Sequence, residues 1–443
     1  MIKTNIGIIS DLSEFLKKAK SDIKYRVRPQ DFSRKSKLSF DYVVGFLVNM
    51  PRKSLSLELE EFFSCMDLGV GYCGKSAFSK ARYKLKHQFF KDWNDELKRS
   101  YYTDNEDTIK RWKGFILQGV DGSTLHLFED AQGKIAEHFG KYRGAVTGRV
   151  LCAYDVLNEV NYLAELAPIE VAENTLAKGF LDRFQQDMPM LGKVLCLYDM
   201  KFIGYAFAYE HFHKGVDFVM RASPGFNIPV HDFMKSDKQD DIVEWYPPEG
   251  AIKDLQGKGY MVDKEDFLKV RMLKIPLEDG TIEVLVTNLI DQQEYPYEDF
   301  KPLYFQRWGS ETNFDYWKNK IQIENFSGHK VEAIYQDFHA TVFTANLHSI
   351  LMDECEEELE QINQERMYEY ALNKNIGVGV LKGRIPDLIL KPTQQARQTL
   401  QELHRLFLRY IEPVRPNRKY PRNKRIQHLN GKYVTMTNYR RAI

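Results

Sequence analysis

Two aspartates that each follow a short apolar segment are the first candidates for chemistry in this sequence. Asp121 ends the segment 114–121 and Asp199 ends the segment 193–199, and both segments are rich in β-favourable residues. We interpret both as buried strands, so we expect the two carboxylates at strand ends, where α/β sheets place functional groups. Rigidly held, accessible carboxylates there are suited to metal binding. For a single strand-end aspartate, a turn or helix cap is the alternative.

A third acid, Glu311, lies in the stretch 303–321, which is predicted to be helical. It belongs to a group with the spacing Y-x2-R-x3-E-x6-K, formed by Tyr304, Arg307, Glu311 and Lys318. At about 100° per residue, the four positions lie within about 60° of one another, so one helix face carries all four side chains. A surface ladder of ion pairs, worth about 0.2–0.5 kcal/mol, is the alternative. Such a ladder needs neither the tyrosine nor the two aspartates upstream.

The order of elements around the two aspartates predicts the fold class. Strands are expected at 114–121, 149–157, 162–166, 193–199 and 216–221, and helices at 173–186 and 202–212. Three strands, a helix, a strand, a helix and a strand indicate a mixed α/β sheet.

Residues 224–296 interrupt this pattern with stretches rich in Pro, Gly and Asp and with one clear hairpin around the turn 278–280. We interpret the segment as a β-rich insertion rather than a continuation of the sheet. Its one tryptophan, Trp245, is expected to be a buried hydrophobic anchor.

Helical patterns and two basic regions flank the sheet. A Gly-rich turn at 67–71 leads into a basic helix at 75–86, a helix-turn-helix-like arrangement that would place the second helix in a major groove. On this segment alone we prefer the alternative of a solvated helix face. Residues 405–443 hold eleven basic residues against one acid, with four interleaved tyrosines, so we favour a nucleic-acid contact there over a disordered, solubilising tail.

Length and composition limit the class of protein. The 443 residues are 43% hydrophobic and 28% charged, which indicates more than one structural unit with a buried core. The formal net charge is +1, so nucleic-acid binding must rest on local patches. The five cysteines lack metal-binding spacing, and we find no export signal or membrane-spanning stretch. We therefore expect a soluble, intracellular protein.

Together, the acids and the helical signature resemble the DDE transposases of the insertion-sequence IS4 family. The resemblance covers about residues 114–328, and its most specific part is the match to the family's Y-(2)-R-(3)-E-(6)-K signature. The segments DGSTL at Asp121 and YDMKF at Asp199 look like the regions of the first and second catalytic aspartates. The gap from Asp199 to Glu311 is long enough for the β-rich insertion that is known in this family.

The resemblance implies an RNase H-like catalytic domain whose mixed α/β sheet is interrupted by the insertion. The regions expected are a helical N-terminal DNA-binding domain at 1–110, a catalytic domain in two parts at 111–223 and 297–390, the β-rich insertion at 224–296, and a basic C-terminal region at 391–443.

Asp121, Asp199 and Glu311 are the catalytic and metal-binding residues that the resemblance implies. Our hypothesis is that Asp121 bridges two Mg²⁺ or Mn²⁺ ions about 4 Å apart, while Asp199 and Glu311 each hold one. Paired ions stabilise the negative charge that builds on the entering and leaving oxygens of a phosphodiester.

The other members of the signature are expected to bind DNA. Arg307 and Lys318 would grip phosphates near the scissile bond, and Tyr304 would pack against or hydrogen-bond to the DNA backbone. The family usually has Arg directly after its second aspartate, whereas here Met200 and Lys201 follow, which changes the expected phosphate contacts.

The implied reaction is cut-and-paste transposition, in which one strand is hydrolysed at each transposon end, a hairpin forms and reopens, and the 3′-end joins target DNA. The implied partners are the terminal inverted repeats and target DNA, bound by a dimer in a synaptic complex, with no membrane partner and a cytoplasmic, nucleoid-associated location. Two alternatives remain: a catalytically inactive DNA-binding relative or repressor, and a metal-dependent nuclease without strand transfer.

Overall fold

The computed structural model describes residues 2–66 and 72–415. The predicted Gly-rich turn at 67–71 and the larger part of the predicted basic C-terminal region, from residue 416 onward, lie outside the described residues. None of the helices described combines the length and the apolar character needed to cross a membrane.

Within residues 2–66 and 72–104, the predicted N-terminal helical pattern is present as five α-helices. They are α1 (Ile2–Ala19), α2 (Phe40–Val48), α3 (Leu55–Cys65), α4 (Lys75–Arg82) and α5 (Gln88–Asp104). Their apolar faces share one core. In it, the ring centroids of Phe46 and Phe78 lie 4.4 Å apart, and those of Phe40 and Phe89 lie 5.1 Å apart. The basic helix is shorter than predicted. It ends at Arg82, which is buried and therefore unavailable to a DNA groove.

A nine-stranded sheet forms the centre of the described structure. Its strands are β1 (Phe115–His126), β2 (Lys141–Tyr142), β3 (Ala145–Asp155), β4 (Val160–Pro168), β5 (Lys193–Tyr198), β6 (Asp217–Ala222), β7 (Asp240–Trp245), β8 (Leu268–Pro276) and β9 (Ile282–Thr287). The order is β2-β3-β1-β5-β6-β9-β8-β7, with β4 paired to β3.

Five of these strands form the mixed sheet that the sequence predicts. Strand β3 runs antiparallel to both β1 and β4, whereas β1, β5 and β6 pair in parallel. The predicted mixed α/β class is confirmed, and the order β4-β3-β1-β5-β6 with one reversed strand is the order expected of an RNase H-like sheet.

The prediction that residues 224–296 stand apart from the sheet is wrong. Strand β9 pairs antiparallel with β6, and β8 and β7 follow it, so the hairpin extends the central sheet. The pattern of prolines and glycines marked the turns correctly but gave no information about which edge the hairpin would join. Trp245 is buried, as predicted, against the rings of Tyr205 and Phe226.

Helices connect the strands and cover the sheet. They are α6 (Lys134–Phe139), α7 (Glu173–Leu191), α8 (Tyr205–Lys214), α9 (Ile228–Lys235) and α10 (Glu249–Gly257). Helix α7 passes Pro189, where the sequence predicted its end, and stops at Gly192, whose φ of 73° favours glycine. Since side chains alternate along a strand, Ile116 and Val120 belong to the core that includes α7, and Leu117 faces the opposite core.

The helix predicted at 303–321 is divided into three parts. They are α11 (Phe300–Phe305), α12 (Trp308–Asp315) and a π-helical turn (Tyr316–Lys320). In the π turn, the N–H of Ile321 donates to the Tyr316 carbonyl, five residues earlier, at 3.0 Å. Lys318 therefore lies on a segment that is wound differently from the helix of Glu311. The prediction that both side chains lie on one face of a single regular helix is wrong for Lys318.

The chain continues through helices and one small sheet. The helices are α13 (Val331–Asp353), α14 (Glu356–Gln364), α15 (Lys374–Leu381), α16 (Ile385–Leu390) and α17 (Thr393–Arg409), and the sheet pairs β10 (Tyr370–Leu372) with β11 (Ile411–Pro413). Helix α13 packs on both α5 and β4, which joins the N-terminal helices to the sheet.

Candidate active site

The pairing of β1 with β5 sets Asp121 beside Asp199. The two strands are parallel, and their last paired residues are Val120 and Tyr198. Asp121 is the next residue on β1 and Asp199 directly follows the end of β5, and the two strands run about 4.8 Å apart. Residues in register on parallel strands face the same side of the sheet, so both carboxylates project from one face. Asp121 is not at a strand end, because β1 continues to His126 in pairing with β3.

A glycine on β1 lets α12 lie close against the sheet. A Cβ atom added at Gly119 would lie 2.2 Å from Ser310 Oγ, far inside an ordinary contact. Gly119, Asp121 and Ser123 occupy alternate positions and therefore face the same side as this helix. At Ser123, the hydroxyl accepts a hydrogen bond from Lys318 Nζ at 2.8 Å. The close packing brings Glu311, the residue after Ser310, to the face of the sheet that carries Asp121.

Tyr304 links α11 to the end of β5. Its ring is buried, and its hydroxyl donates to the backbone carbonyl of Tyr198 at 3.1 Å. Since Tyr198 directly precedes Asp199, this bond sets the helix relative to the second aspartate. The structure thus gives Tyr304 a positioning role, and its contact with DNA stays a prediction.

Arg307 lies among the three acids. It is only 5% exposed, and its Nη2 donates to Glu311 Oε1 at 3.2 Å. Burial lowers the pKa of Arg307, but attraction from Tyr304, Asp199, Asp121 and Glu311 outweighs burial and raises that pKa above its ordinary value. The guanidinium is therefore the positive charge around which the predicted acids are arranged.

Asp121 has a perturbed acidity. Burial raises the pKa of Asp121 above its ordinary value, and repulsion from Asp199 acts in the same direction. A hydrogen bond from the N–H of Gly122 at 2.8 Å and attraction from Arg307 and Lys201 oppose this rise. The site is therefore one where an additional cation would favour the ionised carboxylate.

Comparison with models of protein families shows which family the chain belongs to. The model described as "Transposase DDE domain" matches residues 112–347, just over half of the chain and the whole of this site. The chain belongs to the DDE transposase family. Among solved structures, it is similar to a piggyBac transposase synaptic complex with hairpin DNA, with 10% identity, a TM-score of 0.41, and coverage of 91% of this chain and 78% of that one. No curated protein matches the chain.

This membership establishes the class of reaction. The chain is a DNA-cleaving and DNA-joining enzyme, DNA is its substrate, and divalent metal ions are the general cofactors of DDE transposases. The catalytic activity and the DNA partner predicted from the sequence are thereby confirmed at the level of the family.

The donor set of this transposase fits a divalent ion. Carboxylate oxygens are the hard ligands that such ions prefer, and Asp121 and Asp199 lie on neighbouring strands and repel each other. Within residues 2–66 and 72–415, however, no group of three or more His, Cys, Asp or Glu side chains is arranged to hold a metal ion. The Glu311 side chain is 42% exposed and contacts Arg307 instead. Coordination by all three carboxylates stays a prediction.

The six residues predicted from the sequence surround one region of the transposase. Asp121, Asp199, Glu311 and Tyr304 all interact electrostatically with Arg307. Lys318 lies beside them, bonded to the second residue after Asp121.

Sequence reasoning missed three residues that build this region, which are Gly119, Ser123 and Ser310. It noted Lys201 only as a departure from the family pattern and did not predict its attraction to Asp121. The glycine inside an otherwise apolar strand was the available signal, since such a glycine often marks a close approach of another element.

Proposed function

We propose that the chain moves an insertion sequence of the IS4 type by cut-and-paste transposition, using two Mg²⁺ or Mn²⁺ ions. The observation that carries this proposal is the register of β1 with β5, which sets Asp121 and Asp199 side by side under the helix that bears Glu311. Asp121 and Asp199 are 78 residues apart along the chain, but in the fold they are only one strand spacing apart.

The three carboxylates are the proposed metal ligands. Asp121 and Asp199 share one face of the sheet, and Glu311 is brought to the same face by the packing of α12 on Gly119. Ions held there would stabilise the charge on the entering and leaving oxygens and lower the pKa of the attacking water or hydroxyl.

The cations are the proposed phosphate ligands. Lys318 is oriented by Ser123, and its ammonium group would donate to a non-bridging phosphate oxygen that enters the site. Arg307 is held by its hydrogen bond to Glu311, and its guanidinium would also form an ion pair with the same phosphate. Tyr304 keeps the helix at the end of β5 through its bond to Tyr198.

The proposed reaction uses two types of step, hydrolysis and transesterification, illustrated by the first cleavage and the final joining. In cleavage, the oxygen of water bonds to phosphorus, the bond to the 3′-oxygen breaks, and a proton passes to that oxygen to give a 3′-hydroxyl and a 5′-phosphate. In joining, the freed 3′-hydroxyl attacks a phosphodiester of target DNA, loses its proton, and releases a 3′-hydroxyl from the target. Both steps use the same charge pattern, so one site is sufficient for both.

The test of this proposal is strand cleavage of duplex DNA that carries the ends of the element, with Mg²⁺ or with EDTA. We expect cleavage by the wild type with Mg²⁺ alone and a loss of at least about 100-fold in Asp121→Asn, because ligand loss removes several kcal/mol of charge stabilisation. A matched control is Asp217→Asn, a half-buried carboxyl on β6 outside the site. Equal cleavage by the wild type and Asp121→Asn would remove the mechanism.

A second measurement separates a transposase from a simple nuclease. A pre-cleaved end with a free 3′-hydroxyl is incubated with supercoiled plasmid and Mg²⁺, and joined products are scored. We expect joining by the wild type and its loss in Glu311→Gln. Cleavage without any joining would instead assign the chain to the nuclease alternative.

A further inference from the structure

A chain of four buried asparagines joins the N-terminal helices to the helix that carries Glu311. Its members are Asn94 on α5, Asn346 on α13, Asn161 on β4 and Asn313 on α12. Each is at most 8% exposed, and none belongs to the proposed metal or phosphate ligands. Because a buried amide without a hydrogen-bond partner is costly, their hydrogen bonds decide how these four elements fit together.

The middle of the chain is oriented by the backbone. Asn346 Oδ1 accepts from the backbone N–H of Asn161 at 2.7 Å, and Asn346 Nδ2 donates to the backbone carbonyl of Asn161 at 3.0 Å. A backbone N–H only donates and a carbonyl only accepts, so the amide of Asn346 has one possible orientation. Asn346 Nδ2 also donates to Asn94 Oδ1 at 2.9 Å. This orientation dictates that of the next amide in the chain.

The orientation passes from Asn346 to α12. Asn346 Oδ1 also accepts from Asn161 Nδ2 at 2.9 Å, which leaves Asn161 Oδ1 as an acceptor. Asn313 Nδ2 donates to that oxygen at 2.6 Å. Within residues 2–66 and 72–415, Asn313 is the only side chain of α12 that hydrogen-bonds to the sheet. The packing of Ser310 on Gly119 is a contact without a hydrogen bond, so Asn313 is the polar anchor of the helix.

This anchor lies beside the first aspartate. Asn313 Nδ2 is 3.8 Å from Cys152 Sγ on β3, and Cys152 pairs directly with Asp121 in the register of β1 and β3. Residues paired across an antiparallel ladder face the same side of the sheet, so Cys152 and Asp121 share the face on which α12 lies. Asn313 is two residues after Glu311 on that helix. Its hydrogen bond therefore sets how closely the Glu311 turn approaches this face.

We infer that Asn313 is a positioning residue for DNA cleavage, which holds Glu311 in place over the sheet through the chain of amides. The inference rests on the proposed function, in which Glu311 is a metal ligand. Catalytic groups need their geometry held to within about 0.5 Å, and a hydrogen bond less than one turn from Glu311 restricts its helix in this way. We therefore expect Asn313 to affect the rate of cleavage and not the affinity for DNA.

The test compares cleavage by the full-length wild type and Asn313→Leu on duplex DNA that carries the element's ends, with Mg²⁺. Leucine has a similar volume and a better helix propensity but cannot donate a hydrogen bond. Its methyl groups need about 3.5 Å from the oxygen that the amide contacts at 2.6 Å, so α12 would move by up to about 0.9 Å. We expect kcat to fall at least about tenfold. KM, and Kd for the same duplex in EDTA, should stay at the wild-type values.

A variant on the strand removes the same hydrogen bond from its other side. Asn161→Leu leaves the two backbone bonds to Asn346 in place and should lower kcat as Asn313→Leu does. It also carries the test if circular dichroism shows that Asn313→Leu does not fold. The double variant should be no slower than either single variant, because all three lack one and the same bond.

A buried amide on other elements provides the matched control. Asn49 follows α2, and its Oδ1 accepts from the N–H of Gly383, after α15, at 2.7 Å. Asn49→Leu makes the same chemical change without touching α12. It should lower stability in chemical denaturation and leave kcat unchanged.

A measurement without metal or DNA keeps this inference separate from the proposed function. In EDTA, Asn313→Leu should exchange the amide hydrogens of α12 faster than the wild type and Asn49→Leu do. If Asp121→Asn cleaves like the wild type while exchange in α12 still rises, the proposed function fails and the anchoring by Asn313 stands.

Three results would overturn the inference itself. One is a wild-type kcat in Asn313→Leu while Asp121→Asn loses cleavage. Another is a fall in kcat in Asn49→Leu as large as that in Asn313→Leu. The third is a double variant whose loss equals the product of the two single losses, since independent effects on the fold would multiply.

Discussion

The contact between Gly119 and Ser310 gives the most demanding test of how the site is built. In Gly119→Ala, the new Cβ atom would lie 2.2 Å from Ser310 Oγ and 3.0 Å from Val156 Cγ1. Restoring the 3.4 Å of an ordinary contact requires a movement of about 1.2 Å. Ser310 Cβ lies 3.6 Å from the same point, so rotation of the Ser310 hydroxyl relieves part of the clash; because Val156 closes the other side, we expect the rest of the movement to fall on α12, which carries Glu311.

The magnitude follows from that displacement. A misplacement of about 1 Å costs on the order of 100-fold in rate, so Gly119→Ala should cleave DNA up to about 100-fold more slowly. Overpacking costs about 1–3 kcal/mol, and the better strand propensity of alanine offsets about 0.5–1 kcal/mol of it. We therefore expect a net loss of about 1 kcal/mol in the free energy of unfolding, with a much larger relative effect on cleavage.

A second substitution at the same contact serves as the control. Ser310 Oγ has no hydrogen-bond partner in the described structure, so Ser310→Ala alone should leave cleavage near the wild-type rate. The double variant Gly119→Ala with Ser310→Ala removes the clashing atom and should recover cleavage to within about tenfold. Wild-type cleavage by Gly119→Ala, or a double variant no better than Gly119→Ala, would refute the reasoning.

Three further predictions concern single groups. Tyr304→Phe removes the bond to the Tyr198 carbonyl and should lower the free energy of unfolding by about 1 kcal/mol, measured by chemical denaturation; an unchanged midpoint would argue against it. Lys201→Ala removes a cation that lowers the pKa of Asp121, so the acidic limb of the cleavage profile should move to higher pH, while Lys201→Arg leaves it in place; an unmoved limb in the alanine variant would contradict this role. Burial raises the pKa of Asp155 to about 6, so its protonated form is favoured in the fold and stability should fall as pH rises from about 4 to about 6. Asp155→Asn should lack that fall, and an identical pH dependence in thermal melts would exclude the assignment.

The spacing of the acids predicted more of the site than the element pattern did. The offset of 78 residues between Asp121 and Asp199 equals the register offset of β1 and β5. The two aspartates, distant in sequence, therefore lie beside each other on neighbouring strands. The resemblance of Glu311 and its neighbours to the family signature led to the same region. Periodicity alone predicted one continuous helix, because it cannot detect the π turn that changes the direction of Lys318.

Long-range pairing accounts for the remaining errors. Nothing local in residues 224–296 specifies that β9 will pair with β6, since the choice of edge depends on strands distant in sequence. The extension of β1 beyond Asp121 depends in the same way on its partner β3. The positioning role of Tyr304 likewise required the position of β5, which the helix signature does not contain.

The most direct test of the central claim is a titration of the transposase with Mn²⁺, in the presence of duplex DNA carrying the element's ends. The wild type is compared with Asp121→Asn, Asp199→Asn and Glu311→Gln, and bound ion is measured by electron paramagnetic resonance. If the three carboxylates act together on one metal site, each substitution should weaken Mn²⁺ binding by at least about tenfold, a difference of about 1.4 kcal/mol. Wild-type Mn²⁺ affinity in any of the three variants would contradict the account.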